Sequence, residues 1–228
     1  MNATRAESLT LAIDETREVS ALWQSPAQPI ACYVLAHGAG AGMAHPFMAT
    51  VAKELANRGI ATLRYQFPYM EQRSRRPDPP ALCHATVRAA VAEAARCGPE
   101  LPLFAGGRSF GGRMTSQAQA ATPLAGVRAL AFLAFPLHPP QRPARDRAEH
   151  LYDVKVPMLF IQGTRDDLAS LDLLRPLIAE LGLATLKVLE DADHSWHVPA
   201  RSGRKDQDVI GEALDALAAW IQALTRPT

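Results

Sequence analysis

Short, almost wholly apolar runs recur along this chain, and stretches with helical spacing follow most of them. The clearest runs lie at residues 30–36, 60–67 and 127–135. Runs without polar alternation are typical of strands buried on both faces of a parallel sheet. The order strand, helix, strand, helix predicts an α/β fold: a doubly wound, mostly parallel sheet of about seven or eight strands with helices on both faces.

The apolar patterns also predict where the elements lie. We expect strands at 9–13, 19–23, 30–36, 60–67, 101–105, 127–135, 157–162 and 186–189. Residues 68–80 and 136–147 are rich in proline and are predicted as loops, and Pro176 is expected to break or bend a helix over 170–181. No repeat or linker divides the chain, so residues 1–228 are interpreted as one domain.

Composition excludes several classes of protein. The formal net charge is +1, from 24 basic and 23 acidic residues, which does not favour a nucleic-acid binder. The three cysteines form no CxxC pair, so neither a disulfide framework nor a zinc site is expected. No signal peptide or membrane-length apolar run is evident, which predicts a cytoplasmic protein without a membrane partner.

One serine stands among four glycines, in the stretch AGGRSFGGRM at residues 105–114. Gly107 to Gly111 match the pattern G-x-S-x-G, and the serine, Ser109, follows a predicted strand and precedes a predicted helix. In that context the pattern is a nucleophile elbow, a strained turn that lifts the serine oxygen above the sheet. The glycines allow strand and helix to approach closely. Ser109 is therefore the candidate nucleophile.

A serine hydroxyl needs a base, and the base needs an acid that orients it. His194 follows the predicted strand at 186–189, and Asp166 follows the one at 157–162. The carboxyl ends of parallel strands share one edge of the sheet, so these side chains can converge with Ser109. Asp167 competes with Asp166 as the acid, because a one-residue shift of the loop would exchange them. Asp193 is interpreted as a turn former.

Two backbone amides are candidates for an oxyanion hole. The Phe110 amide opens the helix after Ser109, where an anion is favoured. The early strand is followed by HGAGAG, residues 37–42, whose small residues let the backbone pass near the nucleophile. The Ala39 amide is expected to be the second donor, and His37 to order this loop by hydrogen bonds.

With these residues in place, the chain resembles the α/β-hydrolase superfamily, particularly small dienelactone-hydrolase-like proteins and lidless bacterial serine hydrolases. The matching stretches are HGAGAGMAHPFM, RYQFPYM, AGGRSFGGRM, FIQGTRDDL and DADHSW. The resemblance implies a Ser109–Asp166–His194 triad with Ala39 and Phe110 as the oxyanion hole. Dienelactone hydrolases proper use a cysteine nucleophile, so the serine here favours plain ester hydrolysis.

The expected activity is therefore that of a carboxylesterase-like serine hydrolase acting on small or short-chain esters through an acyl-enzyme on Ser109. Alternatives are a thioesterase or peptidase with the same triad, or a non-catalytic interaction protein on this fold. No cofactor and no metal are expected. The expected partner is a small-molecule ester, with no nucleic acid, and the chain is expected to be a monomer or homodimer.

The pocket is expected to be open and shallow, because only residues 137–156 are available for a cap. Its predicted lining is apolar and aromatic: Met43, Phe47, Phe67, Tyr69, Phe135, Leu137 and Trp196. Arg73, Arg75 and Arg76 lie in a loop after a strand end. The preferred interpretation is a solvated loop, and the sharper hypothesis is a basic lip that selects anionic esters.

Overall fold

Eight strands form the centre of the molecule. The computed structural model describes residues 5–74 and 76–226. The strands are β1 (Glu7–Ala12), β2 (Glu18–Gln24), β3 (Ala31–Ala36), β4 (Ile60–Tyr65), β5 (Leu103–Arg108), β6 (Val127–Leu133), β7 (Met158–Gly163) and β8 (Ala184–Leu189). Each predicted strand is present, with ends shifted by a few residues.

The strands form one sheet in the order β1-β2-β4-β3-β5-β6-β7-β8. The pairs β1–β2 and β2–β4 are antiparallel, and the pairs from β4 through to β8 are parallel. Strands β3, β4 and β7 are buried along their whole length, which explains their largely apolar sequences. The parallel strands bring the segments after β3, β5, β7 and β8 to one edge of the sheet.

Helices cover both faces of the sheet, as the doubly wound prediction requires. They are α1 (Pro46–Asn57), α2 (Pro68–Glu71), α3 (Pro80–Cys97), α4 (Phe110–Ala121), α5 (Leu171–Leu181) and α6 (Asp206–Thr225), with short 3₁₀ helices at Asp146–Asp153 and Ala200–Ser202. One apolar layer joins the sheet to α3, α4 and α5. The other joins it to α1 and α6. No helix in the described part of the chain is long and apolar enough to cross a membrane.

Three predictions of local structure need correction. The loop expected at 68–80 contains the short helix α2, which begins at Pro68, where the ring's fixed φ favours a helix start. The 3₁₀ helix Asp146–Asp153 begins within the loop expected at 136–147. Pro176, expected to break or bend a helix, does not break α5, which runs from Leu171 to Leu181. The proline removes the donor to the Asp172 carbonyl, but both residues are exposed, so water can bond to that carbonyl.

The segment between β6 and β7 does not form a cap. Leu137, Ala148 and Leu151 of this segment are buried in the same apolar layer as α4. The segment therefore packs against the side of the molecule and builds no domain above the strand ends. The prediction of a fold without a cap is confirmed.

Candidate active site

The turn after β5 gives Ser109 its partly exposed position. Ser109 has φ 48° and ψ −114°, a backbone conformation that non-glycine residues seldom adopt. Strand and helix meet closely on either side of it. A Cβ on Gly107 would lie 2.3 Å from the Ala36 carbonyl oxygen, and one on Gly111 would lie 2.5 Å from that of His37. The glycines are thus required by close backbone approach, as the motif predicts.

Ser109, His194 and Asp166 form one hydrogen-bonded chain. The Ser109 Oγ is 2.9 Å from the Nε2 of His194, and the other ring nitrogen, Nδ1, is 2.9 and 2.8 Å from the two carboxylate oxygens of Asp166. The carboxylate keeps the proton of the neutral imidazole on Nδ1, which leaves Nε2 free to accept the serine proton. The Asp166 side chain is fully buried, whereas that of His194 is 24% exposed.

Asp166, rather than Asp167, faces the histidine. Its Oδ1 also accepts the Leu168 amide at 2.8 Å, and its Oδ2 accepts the Nε2 amide group of Gln162. Asp167 is exposed. Asp193 instead closes the turn around the histidine, because its Oδ1 accepts the amides of Ser195 and His197 at 2.7 and 3.0 Å.

His37 orients the peptide that carries the Ala39 amide. Its side chain is fully buried. The Phe67 amide donates to Nε2 at 3.1 Å, so the proton of the neutral ring lies on Nδ1. Nδ1 donates to the Gly38 carbonyl at 2.8 Å. Burial lowers the pKa of His37 to about 4, which keeps the ring neutral. In a trans peptide the carbonyl and the N–H point in opposite directions. Holding the Gly38 carbonyl therefore fixes the direction of the Ala39 N–H.

Two further contacts hold this loop. The Gly40 amide donates to the Tyr69 hydroxyl at 3.0 Å, and the Met43 amide donates to the Gln66 side chain at 2.8 Å. Among the described residues, neither the Ala39 nor the Phe110 amide has a hydrogen-bond partner. Both are thus available to a developing oxyanion.

A cavity of about 250 Å³ adjoins the serine. Its walls combine small residues of the loop after β3 with apolar residues at the start of α1 and with the side chains of Ser109 and His194. The lining residues are Gly38, Ala39, Ala41, His45, Phe47, Met48, Arg108, Ser109, His194 and Ser195.

The predicted lining was wrong for most of its members. Of the predicted set, Phe47 alone lines this cavity in the described structure; Met43 lies outside it, with its amide tied to Gln66. The others are core residues with 0–1% of their surface exposed: Phe67, Tyr69, Phe135, Leu137 and Trp196. The sequence places these residues near the correct strand ends, but their side chains point inward to fill the apolar layers.

The basic loop does not reach the cavity. Arg73 and Arg76 are exposed and do not line it, and Arg75 lies outside the described residues. In residues 5–74 and 76–226, no three His, Cys, Asp or Glu side chains are placed to share a metal ion.

Two residues of the site were not anticipated from the sequence. Gln162 interrupts the apolar run of β7 and is fully buried against Asp166. Arg108 occupies the variable position of G-x-S-x-G and reaches the loop of His194. In both cases the available signal was a polar side chain at the end of a buried strand, where burial requires a partner.

Comparison with known proteins identifies the family. The model of a family described as alpha/beta hydrolase domain matches residues 29–222, so this chain belongs to the alpha/beta hydrolases. A serine hydrolase without lid from Xanthomonas campestris is similar at 22% identity, with 95% of each chain covered and a TM-score of 0.74. Dienelactone hydrolase from Anabaena variabilis is 19% identical, covers 97% of this chain and 99% of its own, and has a TM-score of 0.78.

The esterase domain of a Rhodothermus marinus protein gives a third match. Its TM-score is 0.73 at 16% identity, with 97% of this chain and all (100%) of that chain covered. At these identities the matches show a shared fold. They confirm the resemblance to lidless α/β-hydrolases, including dienelactone-hydrolase-like proteins.

Proposed function

We propose that this protein is a serine esterase that cleaves small or short-chain carboxylic esters through an acyl-enzyme on Ser109. The observation that carries the proposal is the position of the His194 Nε2, 2.9 Å from the Ser109 Oγ, while Nδ1 is held by Asp166. The esterase named among the structural neighbours agrees with this class of reaction.

The reaction follows from that arrangement. As the Ser109 oxygen bonds to the acyl carbon, its proton passes to the Nε2 of His194, and Asp166 stabilises the resulting imidazolium. The carbonyl oxygen becomes an oxyanion that accepts the Ala39 and Phe110 amides. Collapse of the intermediate breaks the bond to the alcohol, which leaves with the proton from His194. Water then attacks the acyl-enzyme by the same steps and releases the acid.

The nucleophile is tested with a fluorophosphonate probe, which reacts covalently with activated serines. We expect the wild-type protein to be labelled and S109A to remain unlabelled, because the variant lacks the attacking oxygen. S116A is the matched control, since Ser116 lies on α4 and is hydrogen-bonded to His150, 2.7 Å away, outside the site. Absence of labelling in the wild type would favour the interaction-protein alternative.

The cavity supports a preference for short acyl chains. Its volume is about 250 Å³, and Phe47 and Met48 form apolar walls. With p-nitrophenyl esters, we expect kcat/KM to fall from the butyrate to the octanoate. M48A enlarges the cavity, so the ratio of octanoate to acetate turnover is expected to rise. Including a thioester and an anilide separates the alternatives, because faster turnover of either would favour a thioesterase or a peptidase.

A further inference from the structure

Arg108 connects the two reacting residues through the backbone. It is the last residue of β5 and directly precedes Ser109. One terminal nitrogen of its guanidinium donates to the Leu133 carbonyl at 3.1 Å, and the other donates to the carbonyl of His194, 86 residues away in the chain. The side chain therefore spans from the nucleophile elbow to the backbone of the base.

The guanidinium packs against two aromatic rings. Its central carbon lies 5.0 Å from the ring centroid of Phe47 and 5.4 Å from that of Trp196, and the two rings contact each other at 5.4 Å. Among the described residues, no carboxylate forms an ion pair with Arg108. The guanidinium instead contacts two main-chain carbonyls and two aromatic rings. Both kinds of contact favour the planar guanidinium of arginine over the ammonium of lysine.

The charge persists at neutral pH. Burial lowers the pKa of Arg108 to about 10, while Asp166 and Asp193 favour the charged form. A cation that donates to a carbonyl forms a stronger hydrogen bond than a neutral donor does. The bond to the His194 carbonyl is therefore a firm anchor for that loop.

Asp166 fixes the ring of His194 at Nδ1, but it leaves the distance from Nε2 to Ser109 dependent on the loop backbone. We infer that Arg108 is a positioning residue that sets this distance by tying the His194 carbonyl to the residue before Ser109. The kinetic consequence rests on the proposed function. The structural consequence, the position of the His194 ring, does not.

The test compares R108M and R108K with a matched control. Arg88 also donates to two main-chain carbonyls, those of Ala118 at 2.6 Å and Thr122 at 2.9 Å, at the end of α4 away from the site. R88M therefore removes the same kind of contact without touching the reaction. Melting temperatures identify any loss due to unfolding. If R108M does not fold, the inference is tested with R108K instead, because lysine keeps the positive charge and can donate to one of the two carbonyls.

With p-nitrophenyl acetate, we expect R108M to lose about a hundredfold in kcat, the effect of misplacing a reacting group by about 1 Å. KM is expected to change little. R108K is expected to recover part of kcat, since an ammonium can reach one carbonyl but not both, and R88M to retain it. If kcat is the same in R108M and R88M, the inference is overturned. If R108M does not fold, the same comparison is made between R108K and R88M.

Imidazole NMR provides a readout that does not need activity. The signals of His194 are assigned by their loss in H194Q, and their titration is followed in wild type and R108M. Of the charged and titratable groups near this residue, Asp166 and Arg108 are hydrogen-bonded to it, His45 lines the same cavity, and Asp193 precedes it in the chain. Altered His194 signals support the inference even if the wild type fails to hydrolyse esters. Unchanged signals contradict it even if the esterase proposal holds.

Discussion

The hydroxyl of Tyr69 shows how a buried residue takes part in the site without lining it. The side chain is only 1% exposed and packs near Phe67 and Phe110, while its oxygen accepts the Gly40 amide at 3.0 Å. Tyr69 thus binds the Gly40 amide, and His37 binds the Gly38 carbonyl, so the two contacts flank Ala39 in the chain. The two side chains therefore hold the proposed oxyanion donor from two directions.

At this scale we expect Y69F to lower kcat about fivefold with little change in KM, because one hydrogen bond contributes about 1 kcal/mol. The effect falls on kcat because the oxyanion forms only in the transition state. Y33F is the control, since Tyr33 is equally buried and donates to the Ala131 carbonyl at 2.8 Å. Steady-state kinetics with p-nitrophenyl acetate provide the measurement. A drop of the same size in both variants would assign the loss to general destabilisation.

Element boundaries follow local rules closely in this chain. His45 precedes α1 and accepts the Phe47 amide at 3.2 Å, while prolines begin α1, α2 and α3. Helix α5 departs from these rules, because Pro176 lies inside it. Leu174 and Leu177 are buried against the sheet, so tertiary packing stabilises the helix despite the missing hydrogen bond.

Replacing this proline should therefore stabilise the protein. We expect P176A to raise the free energy of unfolding by about 1–3 kcal/mol, the cost of an interior helical proline less its stiffening of the unfolded chain. P80A is the control, because Pro80 begins α3, where a proline is tolerated. Urea denaturation measures both variants. A loss of stability in P176A would show that the helix depends on the proline ring.

Across the whole molecule, two neutral histidines, the buried His37 and the half-buried His150, link stability to pH. Burial lowers the pKa of His37 and of His150 to about 4, and the positive charges of Arg113 and His84 add to the effect at His150. The unfolded chain binds protons at these groups near pH 6.5, whereas the folded chain does not until about pH 4. The contribution of these two groups to stability is therefore complete above pH 6.5 and decreases as the pH falls through this window.

We expect each of these histidines to reduce the free energy of unfolding by about 3 kcal/mol at pH 4 relative to pH 7. H150Q removes one contribution, so its stability should decrease less steeply on acidification than that of the wild type. H197Q is the contrasting control: Asp206 raises the pKa of the exposed His197, so that contribution is lost as pH rises. Urea denaturation at pH 7, 5.5 and 4 tests the comparison, and parallel curves for H150Q and wild type would contradict it.

Sequence alone determined the strand order along the chain, the covered sheet and the residues at its strand ends. These features are local: burial on both faces removes polar alternation, and close approach after β5 demands Gly107 and Gly111. Tertiary structure decided which side chains point into the site. Residues distant in the chain meet there, as Arg108 meets the loop of His194, and Trp196 turns inward to the core. Side-chain direction depends on packing between elements, which local patterns do not encode.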